Sequence, residues 1–429
     1  MNVMLIYPAP DERKSFRFGY SLLLLYIASE LKLHEHYVKF YDFSVEAFPS
    51  DSFKKDTLNS SVAIIDIDAF PLKRSTNLKN AENIALFIRK TNKNIKIIAV
   101  GKLCTLLNKS FDFVDITIAG DSEVFIPKIL NDIKCDNFKG FYNAGRILDL
   151  SILPQPMYDL LPQEQITGKY LWGHMHIAPS ALLETSRGCP GHCSFCQRKG
   201  WQRRVLTFSL KQIEENIAFF LRNKIKNIWI TDENFFGNLE HAKVVLRTFT
   251  DYNLSKYVKI AISSWAHINE EILIAAKSAG ISIISFGIES ITQQNQSFYK
   301  KYIDIHKLSS ILKCADNIGI FTIGNFIIGS PYDTEQTIRE NLSWALSSHL
   351  DSVNVKILDY MRGSELFETL HIDKKDKIHF FSTKELGLSN FTLQEAKDIA
   401  TEFKIQVEKR RSAYLKKKIE KFGYPYYIS

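Results

Sequence analysis

The chain has 429 residues, of which 45% are hydrophobic and 24% charged, and its formal net charge is +8. The length predicts two or three domains, and the composition is that of a soluble globular protein. No apolar run reaches the roughly 18 residues that span a bilayer, which argues against a transmembrane segment. Because the positive charge is spread along the chain, we expect a solvated surface rather than a nucleic-acid partner.

The start of the chain is predicted to be a strand rather than a signal peptide. The first ten letters, MNVMLIYPAP, contain no basic region and no cleavage site. Three of the six cysteines are clustered, which argues for a reducing compartment and against a disulfide framework. We therefore expect a cytoplasmic protein.

Residues 1–140 are predicted to form an α/β domain of the Rossmann-like, doubly wound type. Strand patterns occupy residues 2–8, 37–43, 62–68, 95–101 and 114–120, and helical patterns occupy residues 19–33, 81–91 and 122–133. Strands that alternate with helices at this spacing favour a parallel sheet. Ligands of such sheets bind at the carboxyl ends of the strands.

Residues 141–178 are predicted to be a linker, which Pro154, Pro156 and Pro162 mark. Beyond it, strand patterns at 180–188, 225–237, 258–266, 281–290, 321–331 and 351–360 alternate with helices. Six β/α units between residues 179 and 362 are too few for an eight-unit barrel, so they predict a partial (β/α)6 barrel. Residues 363–429 are predicted to form a helical C-terminal region.

The loop after the first barrel strand carries Cys189, Cys193 and Cys196 in a CxxxCxxC spacing. Barrel enzymes keep their catalytic residues at this end of the strands. Three thiolates can hold three corners of an iron–sulfur cube and leave the fourth iron open, as a catalytic metal centre requires. The main alternative, structural zinc, needs a fourth Cys or His, and His192 lies inside the loop.

This loop, with Phe195 before its last cysteine, resembles that of the radical S-adenosylmethionine (SAM) enzymes. The resemblance implies a [4Fe-4S] cluster on Cys189, Cys193 and Cys196, whose open iron is chelated by the methionine part of SAM. One electron from the cluster then cleaves SAM and releases a 5′-deoxyadenosyl radical, which the protein positions and shields. It also implies an electron donor such as flavodoxin or ferredoxin.

The same resemblance implies SAM-binding roles for residues at the ends of the later barrel strands. Asp232 and Glu233 stand where the family holds the methionine ammonium, and Ser263 could contact the carboxylate or ribose. Glu289 is the candidate for the ribose hydroxyls, and Gly287 would permit close approach of the ligand. The remaining candidates are Ser290, Phe326 and Gly329, the last two as lining of the adenine.

The order of a Rossmann-like domain, a proline-marked linker and this barrel resembles the radical SAM subgroup with an N-terminal cobalamin-binding domain. The segment GDSEVFIPKIL, with Asp121 and Glu123 at its acidic positions, is similar to a turn and helix of that subgroup. In VGKLCTLL, however, Lys102 and Leu103 stand where the subgroup has paired glycines that cradle the corrin. Two alternatives stay open: the front domain binds cobalamin, or it keeps the fold and has lost the cofactor.

The leading hypothesis is a cobalamin-dependent methyltransferase that alkylates an unactivated carbon of a small molecule or peptide. The alternative is a cobalamin-independent dehydratase, epimerase or rearrangement enzyme for a small polar metabolite, with the front domain as a docking or lid element. A non-catalytic iron–sulfur scaffold or sensor is the third hypothesis. The tRNA-thiomethylating radical enzymes need three further cysteines in the front half, which holds only Cys104 and Cys135.

Overall fold

The computed structural model describes residues 1–11, 19–70, 75–161, 179–197, 204–374 and 377–422. The chain divides into two compact units, Met1–Ser180 and Ala181–Ser429. Residues 162–178, the second part of the predicted linker, lie outside the described residues. The predicted domain boundaries at residues 140, 178 and 362 therefore stay predictions.

The first unit is built on a parallel sheet. Its strands are β1 (Asn2–Tyr7), β2 (Tyr37–Asp42), β3 (Val62–Asp66), β4 (Lys96–Val100), β5 (Ile116–Ala119) and β6 (Phe141–Asn143). Their order across the sheet is β2-β1-β3-β4-β5-β6, so the winding of the chain reverses between β1 and β3. This order confirms the doubly wound fold, and it places the ligand-binding switch point at the carboxyl ends of β1 and β3.

Helices connect these strands and cover the sheet. They are α1 (Leu22–Leu33), α2 (Asp51–Asn59), α3 (Leu78–Thr91), α4 (Lys102–Leu107) and α5 (Ile126–Lys134), and the two-residue strands Ala69–Phe70 and Ser75–Thr76 pair after β3. The Ser21 hydroxyl caps α1 because it accepts the N–H of Leu24 at 3.1 Å. The core joins Leu5 and Ile64 of the sheet to Leu24 and Ile129 of the helices.

The elements of this unit that were not predicted from the sequence include α2, α4 and β6. Helix α2 buries only Phe53 and Thr57, so its apolar periodicity is too weak to stand out. Strand β6 has three residues and lies where the sequence predicts the start of the linker. The predicted linker therefore begins inside the front sheet.

The second unit is a partial barrel. Its strands are β7 (Ser180–Leu183), β8 (Asn227–Ile230), β9 (Lys259–Ser264), β10 (Ile281–Glu289), β11 (Phe321–Ile328) and β12 (Ser352–Ile357), and they lie side by side in chain order. The pairs from β8 to β12 are parallel. This arrangement confirms the predicted (β/α)6 barrel.

The barrel helices alternate with these strands. They are α6 (Leu210–Arg222), α7 (Leu239–Asp251), α8 (Glu270–Ser278), α9 (Gln293–Tyr299), α10 (Ile305–Ile318) and α11 (Glu335–Ser347), and the two-residue strands Ser186–Arg187 and Leu206–Thr207 pair before α6. A capping box starts α6, because Ser209 accepts the N–H of Gln212 and Gln212 accepts the N–H of Ser209.

The C-terminal region adds helices and one strand pair. It contains β13 (Asp359–Met361), α12 (Glu365–Glu368), β14 (His379–Phe381), α13 (Leu393–Arg410) and α14 (Ser412–Phe422). The buried Lys418 ammonium of α14 pairs with Asp316 at 2.9 Å and Asp351 at 2.6 Å, near the amino ends of β11 and β12. Within the described part of the chain, no helix has the length and apolar character to cross a membrane.

Candidate active site

The cysteine loop lies between β7 and α6 and is fastened at several points. The Gly188 N–H donates to the Glu233 carboxylate at 2.8 Å, and the Ser194 N–H donates to the Tyr299 carbonyl at 3.0 Å. The Ser194 hydroxyl donates to the Phe298 carbonyl at 2.7 Å. These contacts hold both ends of the CxxxCxxC segment against the rest of the barrel.

The three thiols of this loop differ in exposure. Cys193 is buried, whereas Cys189 and Cys196 are half-buried. Burial raises the pKa of the Cys193 thiol to about 12, and the Lys301 ammonium opposes this rise. A metal that binds Cys193 must therefore displace its proton.

The three thiols can supply ligands to an iron–sulfur cluster. In the described residues, no group of three His, Cys, Asp or Glu is arranged to hold one metal ion. A cubane makes a different demand, because each of its irons takes its own ligand. Three cysteines in one loop can therefore supply three irons without converging on one point.

Asp232 at the end of β8 anchors the start of the cysteine loop. Its carboxylate accepts the Thr185 N–H at 2.8 Å, the Thr185 hydroxyl at 2.5 Å and the Ser186 hydroxyl at 2.6 Å. Burial raises its pKa to about 6, and the hydrogen bonds from Ser186 and Thr185 oppose the rise. Both oxygens already have partners, so the carboxylate has little capacity left for a ligand ammonium. Glu233, which is half-buried, stays the better candidate for that role.

The barrel interior carries a polar strip that crosses four strands. Ser263 of β9 pairs in register with Ser285 of β10, and the Asn325 amide of β11 donates to the Ser285 hydroxyl at 2.8 Å. The Asn354 amide of β12 donates to the Asn325 oxygen at 3.3 Å. Of these residues, only Ser263 was predicted from the sequence. A polar residue within an otherwise apolar strand was the signal for the others.

Glu289 at the end of β10 forms a buried ion pair with Lys301. One oxygen of Glu289 lies 2.8 Å from the Lys301 ammonium, and the lysine side chain is 4% exposed. Burial alone would lower the pKa of Lys301, but Glu289, Cys193 and Cys189 outweigh it, so the pKa is raised. A side chain at Gly287 would collide with this pair. Sequence reasoning missed Lys301, which is separated from Glu289 by helix α9.

Ser290 and Gly329, at the ends of β10 and β11, belong to one buried polar network. The Gly329 N–H donates to Asp333 at 2.7 Å, and the Asn295 amide donates to the same carboxylate at 2.7 Å. The Ser290 hydroxyl contacts Asn341 at 3.3 Å. The network fixes the two strand ends, and Gly329 has a φ of +91°, which favours glycine.

The two aromatic candidates lie in different surroundings. Phe195 of the cysteine loop meets the buried Tyr299 edge to face, with ring centres 5.4 Å apart. Phe326 of β11 is 1% exposed, and its ring lies 5.1 Å from that of Phe403 and 6.3 Å from that of Trp344. Phe326 therefore packs against the helical layer, and its backbone alone stays a candidate for the adenine.

In the front sheet, protein atoms fill the space at the C-terminal end of β4. Gly101 has a φ of +106°, and a side chain there would collide with the Asp66 carboxylate and lie 2.8 Å from the Ile67 carbonyl oxygen. Helix α4 begins directly at Lys102, and Leu103 is fully buried. The protein itself occupies the space beside Gly101, so the residues after β4 do not fit a loop that cradles a corrin.

Residues 183–345, which contain the cysteine loop and most of the barrel, match the model of the radical SAM superfamily. The chain carries a radical SAM domain. This superfamily implies a [4Fe-4S] cluster and SAM, and the donor set of Cys189, Cys193 and Cys196 fits that cluster. The front unit and the barrel together agree with the subgroup whose N-terminal domain is of the cobalamin-binding type.

Relatives and solved structures are similar to this chain over most of its length. An uncharacterized methyltransferase of Pyrococcus horikoshii is 24% identical over 397 residues, which make up 86% of this chain and 83% of the relative. The methyltransferase TsrM of Kitasatospora setae, solved with cobalamin and a [4Fe-4S] cluster, superposes with a TM-score of 0.66 at 14% identity, over 85% of this chain and 73% of TsrM. OxsB, solved with aqua-cobalamin and SAM, gives 0.64 at 18% identity, over 95% of this chain and 56% of OxsB. At these identities the two structures show a shared fold.

Proposed function

We propose that Cys189, Cys193 and Cys196 hold a [4Fe-4S] cluster at which the enzyme cleaves SAM reductively to a 5′-deoxyadenosyl radical. The observation that carries the proposal is the CxxxCxxC loop, fastened at the carboxyl ends of barrel strands in a domain that matches the superfamily. When bound, the cluster supplies one electron and an open iron for the methionine group of SAM. Flavodoxin or ferredoxin is the kind of donor that would reduce it.

The chain's own residues would bind SAM around this loop. Glu233 is the candidate for the ammonium, since Asp232 is engaged by Thr185 and Ser186. Ser263 faces the interior in register with Ser285 and is the candidate for the carboxylate or ribose. The network around Ser290 and Gly329 would hold the last two strand ends in place for the nucleoside. The second oxygen of Glu289 is left to meet the ribose.

Methyl transfer to an unactivated carbon of a small molecule or peptide is the reaction class that we favour. Its support is that the Pyrococcus relative and TsrM are both named methyltransferases. The cobalamin in the TsrM and OxsB structures supports the same cofactor here as the methyl carrier. The residues after β4, however, do not fit a corrin cradle.

The filled edge at Gly101 favours a second candidate function. In this second function, the radical would drive a dehydration, epimerisation or rearrangement of a small polar metabolite without cobalamin. The polar strip of Ser285, Asn325 and Asn354 suits such a substrate, because hydroxyl and amide groups hydrogen-bond to polar molecules. The front domain would then serve docking or substrate access.

Anaerobic reconstitution with iron, sulfide and hydroxocobalamin, then incubation with SAM and a strong reductant and analysis by mass spectrometry, tests both candidates. We expect 5′-deoxyadenosine from the wild-type enzyme and from Cys135→Ala, a control at an exposed cysteine, and none from Cys193→Ala. S-adenosylhomocysteine together with methylcobalamin would support methyl transfer. The radical product without retained corrinoid would support the second candidate. Persistent cleavage of SAM by Cys193→Ala would contradict the cluster assignment.

A further inference from the structure

A buried lysine lies beside the cysteine loop in a fixed position. The Lys301 ammonium is 2.8 Å from Glu289 and 4.8 Å from the centre of the Trp265 ring. The Lys301 N–H donates to the Gln296 carbonyl at 2.9 Å, which holds the backbone after α9. Gly287 leaves room for the ammonium, because a side chain at that position would touch it. The position of the ammonium is therefore defined by its neighbours.

Trp265 connects this ammonium to the cysteine loop. A side chain at Gly191 would meet the Trp265 ring, with the ring's Cη2 atom at 3.0 Å and the Cys189 sulfur at 3.3 Å. The Trp265 N–H donates to the Asn234 oxygen at 3.2 Å, which fixes the residue at the end of β9. The ring is thus in contact with the cysteine loop on one side and the ammonium on the other. The cation and the thiols share one compact region.

The surroundings of Lys301 suggest why a charge is buried there. Glu289 compensates the ammonium, because a buried ion without a partner is strongly destabilising. Through the Trp265 ring, the ammonium also lies close to the loop that carries Cys189 and Cys193. A cluster on these thiolates becomes more negative by one charge when it is reduced. A fixed cation nearby favours that reduced state, since net charge and surroundings set cluster potentials.

We propose that Lys301 is a positioning residue that sets the reduction potential of the cluster. Its ammonium, held between Glu289 and Trp265, favours the reduced cluster, and the Glu289 carboxylate moderates the effect. One oxygen of Glu289 thus serves as the counter-ion of Lys301. This role is separate from the predicted contact of Glu289 with the ribose. The inference rests on the proposed cluster and concerns the ease with which that cluster accepts its electron.

An EPR-monitored redox titration of the reconstituted full-length enzyme without SAM tests the inference. Lys301→Met is expected to shift the midpoint potential to more negative values, by about 59 mV if the ratio of reduced to oxidised cluster falls tenfold at a fixed potential. Lys300→Met is the matched control, because the neighbouring Lys300 is exposed and pairs with Glu365. The control should titrate like the wild-type enzyme.

Glu289→Gln provides a test of opposite sign. Loss of the carboxylate charge leaves the ammonium uncompensated, so the midpoint potential should become more positive. Since SAM is absent, a role of Glu289 in ribose binding does not enter the result. This variant also decides the matter if Lys301→Met fails to fold or to load iron. Unchanged potentials in the loaded variants, or shifts of the same sign in both, would overturn the inference.

Iron analysis separates this inference from the proposed function. If the wild-type enzyme forms no [4Fe-4S] signal after reconstitution, the proposed cluster is wrong. If the cluster forms and its potential does not respond to Lys301, the proposed function stands and the role of Lys301 is wrong.

Discussion

The barrel and the front sheet each bury a carboxyl group at the carboxyl end of a parallel strand, and the two groups differ in protonation. In the barrel, Asp232 accepts hydrogen bonds from Thr185 and Ser186, and its pKa is raised by burial to about 6. In the front sheet, Asp66 accepts the Ser21 hydroxyl at 2.6 Å, and burial together with the charge of Asp68 raises its pKa to about 8. The two side chains are 3% and 4% exposed, so exposure does not explain the difference.

Hydrogen-bond donors and neighbouring charges make the difference between the two carboxyl groups. Near neutral pH the Asp232 carboxylate is charged, and it holds the first residues of the cysteine loop. The Asp66 carboxyl keeps its proton over much of the same range. Its oxygen occupies the space beside Gly101. The strand ends of the barrel are thus held by the charged Asp232 carboxylate. In the front sheet, the uncharged Asp66 carboxyl fills the place where a corrin would need access.

Replacement of Asp232 by alanine should have the largest effect on stability. It removes the acceptor of three buried donors, each of which costs about 1–3 kcal/mol when left unsatisfied, so we expect a loss of about 3 kcal/mol or more. Urea unfolding followed by far-UV circular dichroism measures the change. Glu240→Ala is the control at an exposed acid, and it should stay within about 0.5 kcal/mol of the wild type. A fully stable Asp232→Ala would show that the three hydrogen bonds contribute little.

The charge state of Asp66 should make stability depend on pH. The unfolded carboxyl has a pKa of about 4, so between pH 4 and pH 8 the folded state holds a proton that the unfolded state has lost. Stability from this group therefore falls as the pH rises through that window. Asp66→Asn should gain about 2–3 kcal/mol relative to the wild type when the pH changes from 5 to 7.5.

The measurement for Asp66 is the free energy of unfolding of both proteins at the two pH values. Asp112→Asn, at an exposed position of the same unit, is the control that should leave the pH dependence unchanged. If Asp66→Asn follows the wild-type pH profile, the buried carboxyl is charged at neutral pH. The contrast between the two sheet edges would then be lost.

The sequence predicted the architecture well because periodicity and spacing are local signals. The doubly wound order, the six barrel units and the position of the CxxxCxxC loop follow from such patterns. The partners of Glu289 and Asp232 do not, because Lys301 and Thr185 come from other elements of the chain. A sequence shows which acids end a strand, but it does not show whether their oxygens are already engaged. For that reason the SAM contacts stay predictions, whereas the fold is confirmed.

Gly101→Ala should reveal whether this glycine serves packing or ligand access. Its φ of +106° and the nearby Ile67 carbonyl oxygen make any side chain strained, so we expect a loss of about 2 kcal/mol. Gly140→Ala is the control, because the nearest atom to a side chain there is 3.8 Å away. Urea unfolding of the two variants provides the comparison. A variant that keeps its stability but loses corrinoid binding would instead show that Gly101 admits a ligand.

Ser21→Ala should have the smallest effect, and a double-mutant cycle can resolve it. The hydroxyl caps α1 through Leu24 and also donates to Asp66, so its loss should cost about 1 kcal/mol for the cap and further stability for the second hydrogen bond. In the Asp66→Asn background, the contribution of the hydrogen bond from Ser21 to residue 66 should change, while the contribution of the cap remains. The coupling between the two substitutions, measured by urea unfolding at pH 7.5, therefore reports the Ser21–Asp66 contact alone. A coupling of zero would mean that Ser21 acts only as a cap, and that its hydroxyl does not oppose the rise that burial and Asp68 cause in the pKa of Asp66.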